Sequence, residues 1–254
     1  MKIESSILVD ITTLLNGFVG LLAIMYIIDG DFKYGMVLIL LGILIDGADG
    51  ILARLYKRKK GHGVYLDSIA DTVTFCFASS ILLYGMYYDI EKGTSFQSPE
   101  NALTVTACML VVLFGILKLA RFIEKGHKSR NFIGLPTPAS ALIVVMSVEV
   151  ISNQISVLVI AIITSLLMIS KIEYPKLRGS LGWAAGLVIL LGIFAIWSTG
   201  WYSMPLSIFV LAMASIYVVI GPLYATKFKG GLSWMWLIGT STVQTQRERL
   251  LRLE

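Results

Sequence analysis

Residues 46–71 read DGADGILARLYKRKKGHGVYLDSIAD, and the polar positions in this stretch decide what the rest of the chain must be. Asp46 and Asp49 close one long apolar run, and Asp67 and Asp71 open the next. On a helix, Asp46 and Asp49 are related as i, i+3 and Asp67 and Asp71 as i, i+4, so each pair shares a face. Carboxylates at membrane depth are strongly destabilising unless something neutralises them. Two such faces opposed make a four-carboxylate pocket, and the usual physical remedy is one or two hard divalent cations held by oxygen ligands.

The flanking runs are of membrane grade. The 254 residues are 56% hydrophobic and 15% charged, with a mean hydropathy of +0.80, which is the composition of a helical membrane protein rather than of a soluble domain. Apolar runs of spanning or near-spanning length fall at about 11–28, 34–54, 64–88, 102–123, 135–151, 155–170, 181–198 and 203–224. The expected fold is therefore an all-α integral membrane protein of about eight transmembrane helices. The fifth and sixth runs, joined at Ser152, Asn153 and Gln154, are the shortest, and seven spans or a re-entrant pair are the alternatives there.

Charge placement gives a separate test, because Lys and Arg collect on the cytoplasmic side. With eight spans and a cytoplasmic N-terminus, all of the 21 Lys and Arg except Lys33 and Lys92 lie on inner segments. This predicts a multi-pass protein of the cell membrane with both termini and the aspartate stretch facing the cytoplasm. The net charge of +5 is thus spread over inner loops and calls for no nucleic acid. The KRKK run at Lys57–Lys60 reads as attraction to an anionic lipid surface, or as steering of an anionic substrate. Lys2, Glu4 and Asp10 break up the first residues, so no cleavable signal is expected. Cys76 and Cys108 lie in apolar runs and read as packing. Residues 1–229 form one membrane domain by this reading. Residues 230–254, with Trp234, Trp236 and QRERLLRLE, read as a cytoplasmic or interfacial tail.

Written as spacing, the central stretch is Asp-x2-Asp-Gly-x2-Ala-Arg-x8-Gly-x3-Asp-x3-Asp, fixed at Asp46, Asp49, Gly50, Ala53, Arg54, Gly63, Asp67 and Asp71. Small residues at Gly50 and Ala53 leave a shallow slot on the helix face, Arg54 suits phosphate charge, and Gly63 lets a ligand approach the chain. Metal ions between such carboxylates can clamp a pyrophosphate. An acidic patch at a helix end also fits an ion pathway, so a divalent-cation transporter is the rival reading from another class.

All eight positions match the signature of the CDP-alcohol phosphotransferases, which this sequence resembles. The resemblance implies a membrane enzyme that transfers the alcohol-phosphate part of a CDP-linked substrate to an acceptor hydroxyl and releases CMP. By position it makes Asp46, Asp49, Asp67 and Asp71 ligands of Mg2+ or Mn2+ in a two-metal site, with Asp71 also the general base. It makes Asp49, Gly50, Ala53, Arg54 and Gly63 the CDP site. It also implies membrane lipid surroundings and, as is common in the family, a homodimer.

Three further stretches are similar to the serine-transferring branch of that family. TTLLNGFVG supplies Thr13 and Asn16, although the branch's preceding Pro-Asn is Val9-Asp10 here. KLARF supplies Lys118 and Arg121, and FIGLPTPAS carries Phe132, Gly134, Leu135, Pro136, Thr137 and Pro138. The resemblance thus implies a CDP-linked lipid, of diacylglycerol or archaeol, and L-serine as substrates, with glycerol 3-phosphate or inositol phosphate as the alternative acceptors. Thr13 and Asn16 are expected at the CDP site, though a polar Asn16 in an apolar run faces either that pocket or a neighbouring helix. Arg121, between Ala120 and Phe122, is expected to anchor an anion, either the serine carboxylate or the lipid phosphate. Lys118 is the weaker candidate beside it and, with Arg130 and Asn131, also reads as solvated loop charge. Pro136 and Pro138 are expected to end the loop and start the fifth helix.

Overall fold

The computed structural model describes residues 2–55, 62–94, 98–125, 131–177 and 179–224. The KRKK run, Arg130 and the 230–254 tail lie outside the described residues. So do the side chains of Ala53 and Arg54.

Helix α1 (Lys2–Ile28) and helix α2 (Phe32–Leu55) form a hairpin that turns at Gly30, whose φ of 87° needs a glycine. The third apolar run is one continuous rod with a break in its winding: α3 (His62–Asp71), a π-helical turn (Thr72–Phe77) and α4 (Ala78–Tyr87). There follow α5 (Pro99–Lys125), α6 (Thr137–Val150), α7 (Gln154–Ile169), α8 (Ser180–Trp197) and α9 (Ser203–Tyr224). Counting the rod once, the described residues hold eight apolar helical runs at the places hydropathy gave for them. Five of them, Val9–Ile28, Phe32–Leu52, Gly63–Tyr87, Pro99–Glu124 and Ser203–Tyr224, are long and apolar enough to cross a membrane. The other three are shorter, including the fifth and sixth.

The core sits where α1, α2, the third rod, α5, α6 and α7 converge, with Ile39, Leu40, Phe75, Leu82, Val145, Met146 and Leu158 at its centre. Both cysteines are buried, Cys108 in this core, and Ser80 and Cys108 each hydrogen-bond the other's backbone carbonyl, which locks α4 to α5. Large apolar side chains such as Phe18, Met25, Leu113, Ile163 and Ile220 stand on the outside, as a lipid-facing surface requires.

The third rod approaches α1 and α2 closely, and two glycines permit it. A Cβ at Gly20 would lie 2.7 Å from Thr74 Cα, and one at Gly42 would run into the Thr74 methyl group. Gly17 faces Ala70, where a Cβ would make ordinary contact at 3.4 Å. Thr74 is therefore a knob between α1 and α2, and its hydroxyl donates to the Asn16 carbonyl at 2.9 Å. Small residues at such crossings are what lets membrane helices approach to backbone contact.

Two short strands add to the all-helical expectation: β1 (Asn131–Ile133) pairs antiparallel with β2 (Glu173–Pro175), placing Phe132 opposite Tyr174. The ribbon ties the loop after α5 to the loop after α7. Gly134 adopts φ 76° beside it, and a Cβ there would come within 2.9 Å of the Met168 carbonyl carbon. Its N–H donates to Ile172 O at 2.6 Å, and Leu135 N–H donates to Leu167 O at 3.0 Å. Helix α6 then starts at Thr137 with Pro136 as its cap, as expected of the Pro136–Pro138 segment. Tyr217 of α9 donates to Pro175 O at 3.1 Å and packs on Tyr174, so the last helix is fastened to the same ribbon.

At the opposite end of the bundle, Asn101 accepts from Asp89 N–H and donates to the Asp89 and Gly93 carbonyls, which closes the loop before α5. Lys92 pairs with Glu100 there, and Gln154 reaches Tyr87 O at 3.0 Å. Tyr26, Tyr34 and Trp197 cluster at the same end, the arrangement of an interfacial aromatic belt.

Candidate active site

Asp46 and Asp49 in the last turns of α2 and Asp67 in the second half of α3 come together at one end of the bundle. Carboxylate oxygens of Asp46, Asp49 and Asp67 all lie within 4.8 Å of one another. Two oxygens sharing a hard cation are separated by at most about twice a metal–oxygen bond of ~2.0–2.6 Å, so this spacing is that of a metal-ligand set. Without a cation it is costly: two carboxylates about 4.8 Å apart repel by roughly 3–4 kcal/mol at an effective dielectric of ~20. Asp71, one turn further along α3, is outside that three-residue group but within its electrostatic field, facing Asp46, Asp67 and Asp49. Asp49 and Asp71 are buried, while Asp46 and Asp67 are half-buried.

Helix α1 lies behind the carboxylates and supplies their hydrogen-bond donors. Thr13 Oγ1 is 2.6 Å from Asp49 Oδ2, and Asn16 Nδ2 donates to Asp71 Oδ1 at 3.1 Å. Both donors are fully buried. Asn16 thus reaches a side chain on a neighbouring helix, α3. Thr74, which holds the Asn16 carbonyl, and the glycines around it are the positions that sequence reading missed. The available signal was the set Gly17, Gly20 and Gly42 on runs otherwise built of large residues.

Gly50 faces open space: a Cβ there would meet nothing within 4 Å. Gly63 is half-buried at the start of α3. Arg54 falls in the last turn of α2.

Lys118 and Arg121 stand on the last turns of α5, and neither makes contact with the aspartates through a hydrogen bond or ion pair given among the described residues. Lys118 is buried and donates to the carbonyls of Ile133 and Gly134, the latter at 2.9 Å. Its reading as solvated loop charge is corrected by this: the ribbon folds over the ammonium and supplies its acceptors. Arg121 is exposed, not poorly solvated as its apolar neighbours implied, and one guanidinium nitrogen donates to Ile169 O at 3.0 Å, at the end of α7. That contact leaves other donors of the five on its guanidinium for an anion.

Comparison with known proteins agrees with this geometry. Residues 7–170 match the CDP-alcohol phosphatidyltransferase family, a stretch holding every carboxylate of the cluster, both α1 donors and the Gly134 loop. The chain belongs to that family. Over 182 residues it is 36% identical to the archaetidylserine synthase of Methanothermobacter thermautotrophicus, covering 70% of this chain and 74% of that one. It is 38% identical over 167 residues to the CDP-diacylglycerol–serine O-phosphatidyltransferase of Methanocaldococcus jannaschii, covering 66% and 73%. A Helicobacter pylori protein of the same name is 31% identical over 188 residues, covering 70% and 75%. The family match ends at Ser170, before β2, α8 and α9.

Proposed function

We propose that this membrane protein transfers the phosphatidyl or archaetidyl group of a CDP-linked lipid to the hydroxyl of L-serine and releases CMP. The observation that carries the reading is the set of Asp46, Asp49 and Asp67 oxygens within 4.8 Å, beside the open face at Gly50, in a chain whose relatives are named for serine transfer.

The donor set is all hard oxygen and suits Mg2+ or Mn2+, held by Asp46, Asp49 and Asp67 with Asp71 alongside. When bound, such an ion neutralises charge on the pyrophosphate and on the departing CMP. Asp71 takes the proton from the serine hydroxyl, whose oxygen forms a new bond to the lipid-linked phosphorus as the bond between that phosphorus and the CMP oxygen breaks. Gly50, Ala53, Arg54 and Gly63 give the nucleotide its place on the helix faces, and Arg121 takes the serine carboxylate with donors not committed to Ile169. The aspartate end faces the cytoplasm, where both nucleotide-linked lipid and serine are supplied. This orientation rests on the sequence, where the basic segments fall on the same side of the spans as the aspartates, as the inside-positive rule favours.

Purified full-length protein with Mg2+ or Mn2+, CDP-diacylglycerol or CDP-archaeol, and L-serine, glycerol 3-phosphate or inositol phosphate offered separately tests the reading through CMP release. Release that depends on serine is expected. Release without serine, or only with a phosphorylated acceptor, removes serine from the reading. No release with any acceptor, together with cation flux in vesicles, makes the protein a transporter.

A further inference from the structure

The π-helical turn Thr72–Phe77 begins directly after Asp71, and at its end Ala78 N–H donates to Val73 O, five residues back rather than four. Such a turn carries one more residue than an α-turn and occurs mostly singly, frequently at functional sites. At 3.6 residues per α-turn, one extra residue rotates the helix before it relative to the helix after it by about 100°. The helix after it is fixed: α4 is tied to α5 through the reciprocal Ser80 and Cys108 bonds, and Ala78, Leu82 and Leu83 are fully buried. The extra residue therefore decides which way α3 points Asp67 and Asp71. Cα atoms lie ~2.3 Å from a helix axis, so a rotation of that size carries each by ~3.5 Å and its carboxylate further. That is enough to take Asp67 out of the oxygen group whose members lie within 4.8 Å of one another.

A single wide turn persists where its side chains are gripped. Thr74, Phe75 and Cys76 are all buried, and they leave the turn in different directions. Thr74 enters between Gly20 of α1 and Gly42 of α2, and Phe75 joins the central core. Cys76 meets α5 at Gly115, where a Cβ would run into its Sγ and stand 3.3 Å from its Cβ. We propose that Cys76 and Gly115 are positioning residues: their contact seats the π-turn against α5 and so sets the rotation of α3 that brings Asp67 and Asp71 to Asp46 and Asp49. The inference rests on the metal-dependent reading above, and adds to it two residues that hold neither metal nor substrate. A methyl group at position 115 leaves two ways out, a retreat of α5 or a change in the turn. Ser80 and Cys108 hold α5 to the rod two turns along, so the turn yields, tightening toward α-helical winding and withdrawing Cys76. Asp67 and Asp71 then turn away from α2.

The test is a Mn2+ titration of metal-stripped, full-length protein in nanodiscs, following free Mn2+ by electron paramagnetic resonance, beside thermal unfolding of the same samples. Gly115→Ala is expected to weaken Mn2+ binding by about 10–100-fold, the effect of losing groups that orient metal ligands. Cys76→Ala in the Gly115→Ala background removes the clashing sulfur and is expected to restore most of that affinity. A lower melting temperature with unchanged Mn2+ affinity overturns the proposal and makes the contact packing alone. Weakened binding that Cys76→Ala fails to restore overturns it too. Should Gly115→Ala fail to fold, Cys76→Val, which adds bulk to the same contact from the turn side, is compared with Cys76→Ser, which keeps the size. Weaker Mn2+ binding by Cys76→Val is expected, and equal affinity of these two overturns the proposal. Parent protein that binds no Mn2+ overturns the metal reading and the proposal with it, whereas unchanged binding in Gly115→Ala leaves the metal reading standing. Absence of serine-dependent CMP release from the parent removes the transfer reading alone.

Discussion

Lys118 on α5 donates to the carbonyl oxygen of Gly134 at 2.9 Å, and the same ammonium serves Ile133. One buried cation therefore pins the strand β1 and the positive-φ turn after it to the end of the fourth span. The loop motif that resembles the serine-transferring branch is in this way held by a residue that stands fifteen positions earlier than its first acceptor.

Lys118→Met keeps the length and apolar stem but removes the donors. Two carbonyls then lose a buried partner, and leaving buried polar groups unsatisfied costs about 1–3 kcal/mol. Thermal unfolding in detergent is expected to show a clear loss of stability, with kcat for CMP release falling while the KM for serine changes little. A selective rise in the serine KM with unchanged stability would make Lys118 a substrate contact instead.

Arg121 makes the opposite case, because it is exposed and its one hydrogen bond among the described residues goes to Ile169 O. A single exposed contact of this kind contributes little to stability. Arg121→Ala is expected to raise the KM for serine by about 10-fold or more, the equivalent of a lost charged hydrogen bond of about 1.5–3 kcal/mol, with the melting temperature nearly unchanged. Arg121→Lys should recover only part of it, since the ammonium lacks the planar fork. An unaltered serine KM in Arg121→Ala would leave the residue as a cap on α7 alone.

The crossing at Thr74 makes a prediction from geometry. Gly20→Ala places a methyl 2.7 Å from Thr74 Cα, and backbone cannot yield as a flexible side chain would. Overpacking of this sort costs about 1–3 kcal/mol and should also push α1 away from the carboxylates, so Mn2+ affinity is expected to fall together with stability. Gly186→Ala is the control: its Cβ meets nothing within 4 Å, and the better helix propensity should leave stability unchanged or raised by up to about 1 kcal/mol.

Hydropathy and charge gave the eight helical runs, because both are properties of single segments. The Asp46–Asp71 spacing gave the carboxylate group for a similar reason, since helical periodicity alone decides which face each pair shares. Relations between distant segments were hidden. Phe132 and Tyr174 pair across a ribbon of two three-residue strands, too short to show an alternating pattern. The π-helical turn after Asp71 has no marker in TVTFCF. Lys118 looked solvated because the sequence does not show that a loop folds back over it. Thr13 and Asn16 were recognised as polar residues needing partners, and only the packing of α1 against α2 and α3 shows that those partners are Asp49 and Asp71.

The four aspartates should divide by role when each is changed to Asn. Asp46, Asp49 and Asp67 share one oxygen cluster, so Asp46→Asn or Asp67→Asn removes a charged ligand from it and is expected to weaken Mn2+ binding directly. Asp71 adjoins the cluster without belonging to the three-residue group, and Asn16 holds one of its oxygens. Asp71→Asn cannot take the serine proton, so turnover is expected to be abolished while CDP-lipid binding is largely retained. Loss of a positioned proton acceptor alone accounts for about 10²–10⁴-fold in rate. Metal removal with a chelator should stop CMP release in the parent protein, and added Mg2+ or Mn2+ should restore it. Ion saturation to 100 times Kd would also stabilise the fold by about 2.7 kcal/mol. In Asp71→Asn that stabilisation should persist in large part, whereas in Asp46→Asn it should vanish at the same ion concentration. Full turnover by Asp71→Asn would take the base role from this residue, and equal stabilisation of both variants would erase the distinction between ligand and base.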